Sequence, residues 1–248
     1  MDLRLEQAPE VEAFVRALRC AAVGLYFAGS LASGDYRPRI SDIDAVVLLQ
    51  HAPFREERRR LMAVHRALVA QDDRAHAIHC AYVARDDASD RERKHWTWAF
   101  GELFRRRVGG IARAELLADP VVTFGPPPSS WLPPMGESDL REAARAEIAG
   151  YWLHAVRRRG IWQQDVYVDL GLTVWARAEA AIVGGALITK GEAIERLRVA
   201  ALPGWIVDDV AGRRDGAKVT LTPALRAERA AFVRGFLKEE LARLVRSA

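Results

Sequence analysis

Tyr26 to Leu49, YFAGSLASGDYRPRISDIDAVVLL, decides how the rest of the chain is read. An apolar run from Val23 to Ala28 reads as a buried strand. It breaks at Gly29-Ser30, crosses a polar loop containing Gly34 and Pro38, and arrives at Ser41-Asp42-Ile43-Asp44. A second apolar run, Ala45 to Leu49, follows at once. Asp42 and Asp44 stand two residues apart, so on a strand both side chains leave one face, while Ile43 turns to the other face and into a core. Two neighbouring carboxylates repel each other unless a cation lies between them. Mg²⁺ suits such a pair, because it takes one or two carboxylates and completes its shell with substrate phosphates and water. Gly29 has no Cβ, so backbone there can come close to a ligand. A helix starting near Ser30 would offer free N–H groups and a hydroxyl to phosphate. A phosphate cradle, a loop and a metal-holding Asp-x-Asp strand, in that order, are the parts nucleotidyl transfer needs.

Working outward, residues 9–20 carry Val11, Phe14, Val15 and Leu18 at a helical period. Residues 54–70 read as a second helix with Leu61, Val64, Leu68 and Val69 inward. Residues 75–84, AHAIHCAYVA, read as a third strand, alternation placing Ile78, Cys80 and Tyr82 on one face and His79, Ala81 and Val83 on the other. Residues 91–108 combine aromatics (Trp96, Trp98, Phe100, Phe104) with Arg105 to Arg107. Two readings stand: a helix covering the sheet with its aromatics, or a surface that stacks a base or sugar ring, with Trp98 as its substrate-binding member. A short helix over 109–118 and an edge strand over Val121–Phe124 complete the first half.

Gly125-Pro126-Pro127-Pro128 and Pro133-Pro134 then punctuate the chain and mark a domain boundary near residue 130. Beyond it the pattern is helical: 138–158, 165–183, 190–201 and 222–245, the last N-capped by Thr222 with Pro223 in its first position. Gly204 and Gly212 to Gly216 read as loops, with Arg213 able to meet a triphosphate.

The chain has 248 residues, half of them hydrophobic, enough for one large domain or two small ones. Net charge is +4 and the pI about 9.3, with 37 basic against 33 acidic residues. That balance argues against a polybasic nucleic-acid binder and suits an anionic ligand. No apolar run reaches the roughly 18 residues of a membrane span. The first ten residues lack the apolar segment of a secretory signal, so a soluble cytoplasmic protein is expected. Two cysteines, Cys20 and Cys80, form no disulfide framework and no zinc-spaced cluster.

Gly29-Ser30 followed by Asp42-Ile43-Asp44 resembles the signature of the DNA polymerase β-like nucleotidyltransferase superfamily. The whole-chain layout is most similar to the aminoglycoside adenylyltransferases that modify streptomycin and spectinomycin. Ala118-Asp119-Pro120 to Gly125-Pro126 and the Gly-x-x-x-x-Lys-x-Glu run from Gly185 to Glu192 look alike as well. The resemblance implies an α/β (α+β) fold: a mixed sheet flanked by helices over residues 1–130, then an all-helical substrate-binding domain over 131–248. It implies ATP and Mg²⁺ between the two, with Gly29, Ser30 and Ser41 on the nucleotide and Asp42 and Asp44 on the metal. Superfamily members place a third carboxylate on the third strand, acting as general base in the streptomycin-type enzymes. His79 occupies that slot here, and an imidazole can accept a proton at neutral pH. Acidic residues of the helical domain hold the cationic drug in those enzymes. Glu192 and Glu195 are the candidates here, with Asp165 and Asp169 as alternatives one turn apart on a helix, although Gly191 falls where streptomycin modifiers carry an aspartate. The expected activity is transfer of AMP from ATP to a hydroxyl of an aminoglycoside-type antibiotic, by a monomer. Alternatives are an RNA or protein acceptor, or a nucleotide-binding module without catalysis.

Overall fold

The computed structural model describes residues 2–246, and the chain divides into two compact units between Met135 and Gly136. The first unit is built on a six-stranded mixed sheet in the order β5-β4-β3-β2-β1-β6. Its strands are β1 (Gly24–Phe27), β2 (Ile43–Leu49), β3 (Ile78–Ala84), β4 (Lys94–Ala99), β5 (Glu102–Arg107) and β6 (Val121–Phe124). Helix α1 (Glu10–Leu18) precedes β1, and a single turn, α2 (Gly29–Ala32), follows it. Only β2 and β3 run parallel, with Asp44 opposite His79. A parallel pair needs a long crossover, which α3 (Arg55–Gln71) supplies.

The central strands are covered on both sides, which is why they read as unbroken apolar runs. One face carries Ile43, Val47, Ile78, Cys80 and Tyr82, packed with Phe14 of α1 and Leu61 and Leu68 of α3. The opposite face carries Tyr26, Val46, Leu48 and Val83, packed with Trp131 and with Leu116 of α4 (Gly110–Ala118). Asp44 and His79 lie on this second face, two residues before Val46 and Ala81 on their strands. Asp44 is exposed where Val46 and Leu48 are buried.

The helix expected over 91–108 is instead a β-hairpin, with Ala99 paired to Glu102 and Lys94 to Arg107. Phe100 and Gly101 form its two-residue turn, both at positive φ. The physical reason lies in the residue types. Aromatic and β-branched residues suit a half-buried pleated surface, and a two-residue loop ending in Gly is a hairpin signal.

In the second unit, α5 (Glu137–Glu147) leads through a π-helical turn (Ile148–Trp152) into α6 (Leu153–Ala155). The chain continues through α7 (Asp165–Gly184), α8 (Lys190–Leu197), α9 (Gly204–Arg214) and α10 (Pro223–Arg246). The Thr222 hydroxyl accepts from the Leu225 N–H at 3.3 Å, capping α10. Gly204 and Gly212 to Arg214, read as loop positions, lie in this α9 helix, because Ile206, Val207 and Val210 between them recur at helical spacing and are buried. Trp162, Val168, Leu172, Val233 and Leu237 are buried in this unit. Among the described residues no helix is long and apolar enough to cross a membrane.

Candidate active site

Where β1 ends, the Ala28 N–H donates to the Asp44 carbonyl at 2.9 Å, so the strand stops beside the carboxylate of its neighbour. Gly29 then turns the chain at φ +60. A β-carbon at that position would lie 2.5 Å from Asp44 Oδ2, closer than any real contact, so the bare glycine backbone is what lets the carboxylate sit there. The Ser30 hydroxyl reaches back to the Asp42 carbonyl at 3.5 Å. Ser41 is 3% exposed, and its hydroxyl accepts from the Arg37 N–H at 3.0 Å. It braces the loop between the two halves of the motif.

The parallel register of β2 and β3 brings the third strand's histidine into the same patch. His79 is opposite Asp44, and its Nδ1 stands 4.0 Å from Asp42 Oδ2. The Asp42 side chain is 56% exposed and that of His79 16%, so a solvated carboxylate adjoins a half-sheltered imidazole. Gly29, Ser30, Asp42, Asp44 and His79 therefore converge from three strand ends on one surface. The Phe100 ring joins them, its centroid 4.8 Å from that of His79 with the planes at 61°.

The donor set fits a nucleotide-bound Mg²⁺. Among the described residues no group of three or more His, Cys, Asp and Glu side chains is arranged to hold a metal by itself. Asp42 and Asp44 supply hard carboxylate oxygens, and a Mg²⁺ held by two carboxylates takes its remaining ligands from phosphate and water.

Other residues singled out from the sequence lie elsewhere in the architecture. Trp98 is 2% exposed and stacks on His65 at 4.6 Å, so it belongs to the core and presents no face to a substrate. Arg213 is not a free cation. Its guanidinium pairs with Asp169 at 2.7 Å and with Asp209. Asp209 also binds the fully buried Arg229 at 2.7 Å, and Arg229 reaches Asp165 at 2.5 Å. Burial pushes the Asp169 carboxyl up, against the pull of Arg213. Burial also opposes charge on Arg213, but the hydrogen bonds it donates to Asp169 and Asp209 outweigh it and hold its pKa above the ordinary value. These groups form a buried ionic network joining α7, α9 and α10, the reason neither Asp169 nor Arg213 is available as a simple ligand. Glu192 closes a capping box on α8: its Oε2 accepts from the Thr189 N–H at 2.7 Å while the Thr189 hydroxyl accepts from the Glu192 N–H. Glu195 is exposed and pairs with Arg198 at 3.3 Å.

Phe100 was among the four aromatics named from the sequence as able to stack a ring, but its place in the hairpin turn beside His79 was not foreseen; the signal was there, a Phe-Gly step between two strand-like runs. The Asp209–Arg229 pair carried no signal, since its members are 20 residues apart on different helices.

No protein-family model matches the chain, and no curated protein matches it by sequence. Among solved structures it is similar to the spectinomycin adenyltransferase from Enterococcus faecialis, crystallised with ATP and spectinomycin. The TM-score is 0.70 at 15% identity, over 94% of this chain and 98% of that one. At that identity the likeness establishes the fold, which the two proteins share along nearly their whole length.

Proposed function

We propose that the chain is a nucleotidyltransferase that moves AMP from ATP to a hydroxyl of a small polyhydroxylated amine of the aminoglycoside type. The observation that carries this reading is the convergence of Gly29-Ser30, Asp42, Asp44 and His79 from three strands on one face. The shared fold supports it, because the similar protein was crystallised with ATP and an antibiotic of that kind.

In this mechanism Ser30 and the Gly29-Ser30 turn hold phosphate oxygens of ATP. Asp42 and Asp44 would hold Mg²⁺, which supplies neutralisation of the phosphate charge when bound. His79 Nδ1 faces Asp42, so Nε2 is the nitrogen that takes the proton from the acceptor hydroxyl. The acceptor oxygen attacks the α-phosphorus in line, the new O–P bond forms, the α–β anhydride bond breaks, and pyrophosphate leaves. The imidazolium that results lies beside the Asp42 carboxylate, which offsets its charge. Acceptor recognition in this proposal does not call on Asp169 or Arg213, whose charges are already compensated by one another and by their neighbours.

The experiment is a pyrophosphate-release screen with ATP, Mg²⁺ and a panel of aminoglycosides and related hydroxylated amines, with Asp44→Asn as control. Acceptor-dependent release that disappears in Asp44→Asn, with an unchanged circular dichroism spectrum, is the expected result. No release by the wild-type chain with any acceptor, or full release by Asp44→Asn, refutes the proposal. AMP recovered on RNA or on protein instead would keep the chemistry and replace the acceptor.

A further inference from the structure

Phe100 occupies a position that suits it poorly. It is the first of two residues joining β4 to β5, with φ +55, and Gly101 follows at φ +79. Mirror-image hairpin turns of this kind want Gly, Asn or Asp there, because a β-carbon at positive φ crowds the backbone. The aromatic side chain does not recover that cost by burial, since Phe100 is 78% exposed. A large apolar ring is thus held in solvent on a strained backbone, in an edge-to-face contact with His79. Strain of this type collects at functional sites, where surrounding structure holds it in place.

The geometry points to Phe100 as a specificity-determining residue: its exposed face is the platform on which the ring of a cyclic acceptor lies while the acceptor hydroxyl reaches His79. This rests on the nucleotidyltransferase reading given above. The chemistry of the class follows from the contact. His79 meets the group that loses a proton, so the molecule beside it is the acceptor rather than the nucleotide. An aromatic face offers dispersion and apolar burial to the C–H face of a saturated ring, whose hydroxyl and amino groups point away into water. A linear amino alcohol has no such face. The ring would therefore favour cyclic polyols over open-chain ones without any hydrogen bond of its own.

Phe100→Asn tests this, because Asn removes the ring and suits the turn. Steady-state pyrophosphate release is measured with a cyclic aminoglycoside, with a ringless amino alcohol and with varied ATP, alongside thermal unfolding. The expected result is an acceptor kcat/KM lower by about tenfold for the cyclic substrate. The KM for ATP and the rate with the ringless acceptor stay unchanged, and Tm is equal to or above that of the wild type. Phe100→Tyr, which keeps the aromatic face, retains the cyclic preference. An unaltered kcat/KM toward the cyclic acceptor in Phe100→Asn overturns the inference while leaving the enzyme reading intact. So does an equal loss toward both acceptors, which would trace to His79. Should Phe100→Asn fail to fold, Phe100→Leu carries the same comparison. A wild-type chain that releases no pyrophosphate removes the enzyme reading, and this inference with it.

Discussion

The α-carbon of Gly29 lies against the carboxylate of Asp44, with so little room that a β-carbon would stand 2.5 Å from Oδ2. The turn that ends β1 and the acidic strand β2 are thereby locked to one another, and either can be disturbed through the other. Gly29→Ala should displace the Asp44 side chain and add the cost of a non-glycine residue at φ +60. We expect a stability loss of about 1–2 kcal/mol by denaturant unfolding, with a much larger fractional loss of transfer activity. Activity at the wild-type level in that variant would mean that Asp44 tolerates displacement.

On the proposed mechanism, His79→Ala removes the proton acceptor and leaves Ser30, Asp42 and Asp44 in place. Turnover should fall by about 10²–10⁴, the range that general-base catalysis contributes, while the KM for ATP holds. An unchanged turnover would place the base elsewhere.

The core offers a pH-dependent stability test that is independent of activity. His65 is 1% exposed, its Nε2 2.7 Å from the Tyr82 hydroxyl and its ring stacked on Trp98. Burial pushes its pKa down to about 3. The unfolded chain therefore takes up a proton at this residue below about pH 6.5 that the folded chain refuses. Stability is full above that pH and falls as pH drops toward 3, by about 1.4 kcal/mol per pH unit from this one group. Denaturant midpoints across pH 7 to 4 should show that slope. The double variant His65→Leu/Tyr82→Phe, which removes the titrating group and its partner together, should flatten it.

In the helical unit, Asp209→Asn should be far more damaging than the loss of a surface pair. Arg229 is fully buried, and Asp209 neutralises both it and Arg213. Removing that charge leaves Asp165 and Asp169 as the remaining carboxylates for the two guanidiniums, one of them fully buried, a cost of about 3 kcal/mol. Glu12→Gln, which breaks the exposed Glu12–Arg16 pair, should leave unfolding unchanged within error. Equal, small effects of the two substitutions would show that water reaches the Asp209 network.

Much of this protein is written in local patterns. Val23 to Ala28 and Ala45 to Leu49 are runs of strand length on either side of a Gly-Ser turn, and a period of two places Asp44 on the face opposite Ile43 whatever the rest of the chain does. Thr222-Pro223 announces the start of α10 by the same local chemistry. The 91–108 segment shows where such patterns run out: its aromatics fit a buried helix face and a strand equally well, and only the Phe100-Gly101 turn separates the two.

The composition of the site was a different kind of question. That Asp42, Asp44 and the Gly29-Ser30 turn belong together could be read along the chain, since a short loop joins two strand-length runs that pair antiparallel and bring the end of one beside the start of the other. That Trp98 is buried against His65, that Arg213 is neutralised by Asp169 from 44 residues away, and that Phe100 stands beside His79 were decided by strand order and helix packing. A residue's type and its period along the backbone are carried by its immediate neighbours, whereas its burial and its partners depend on which distant surface folds against it.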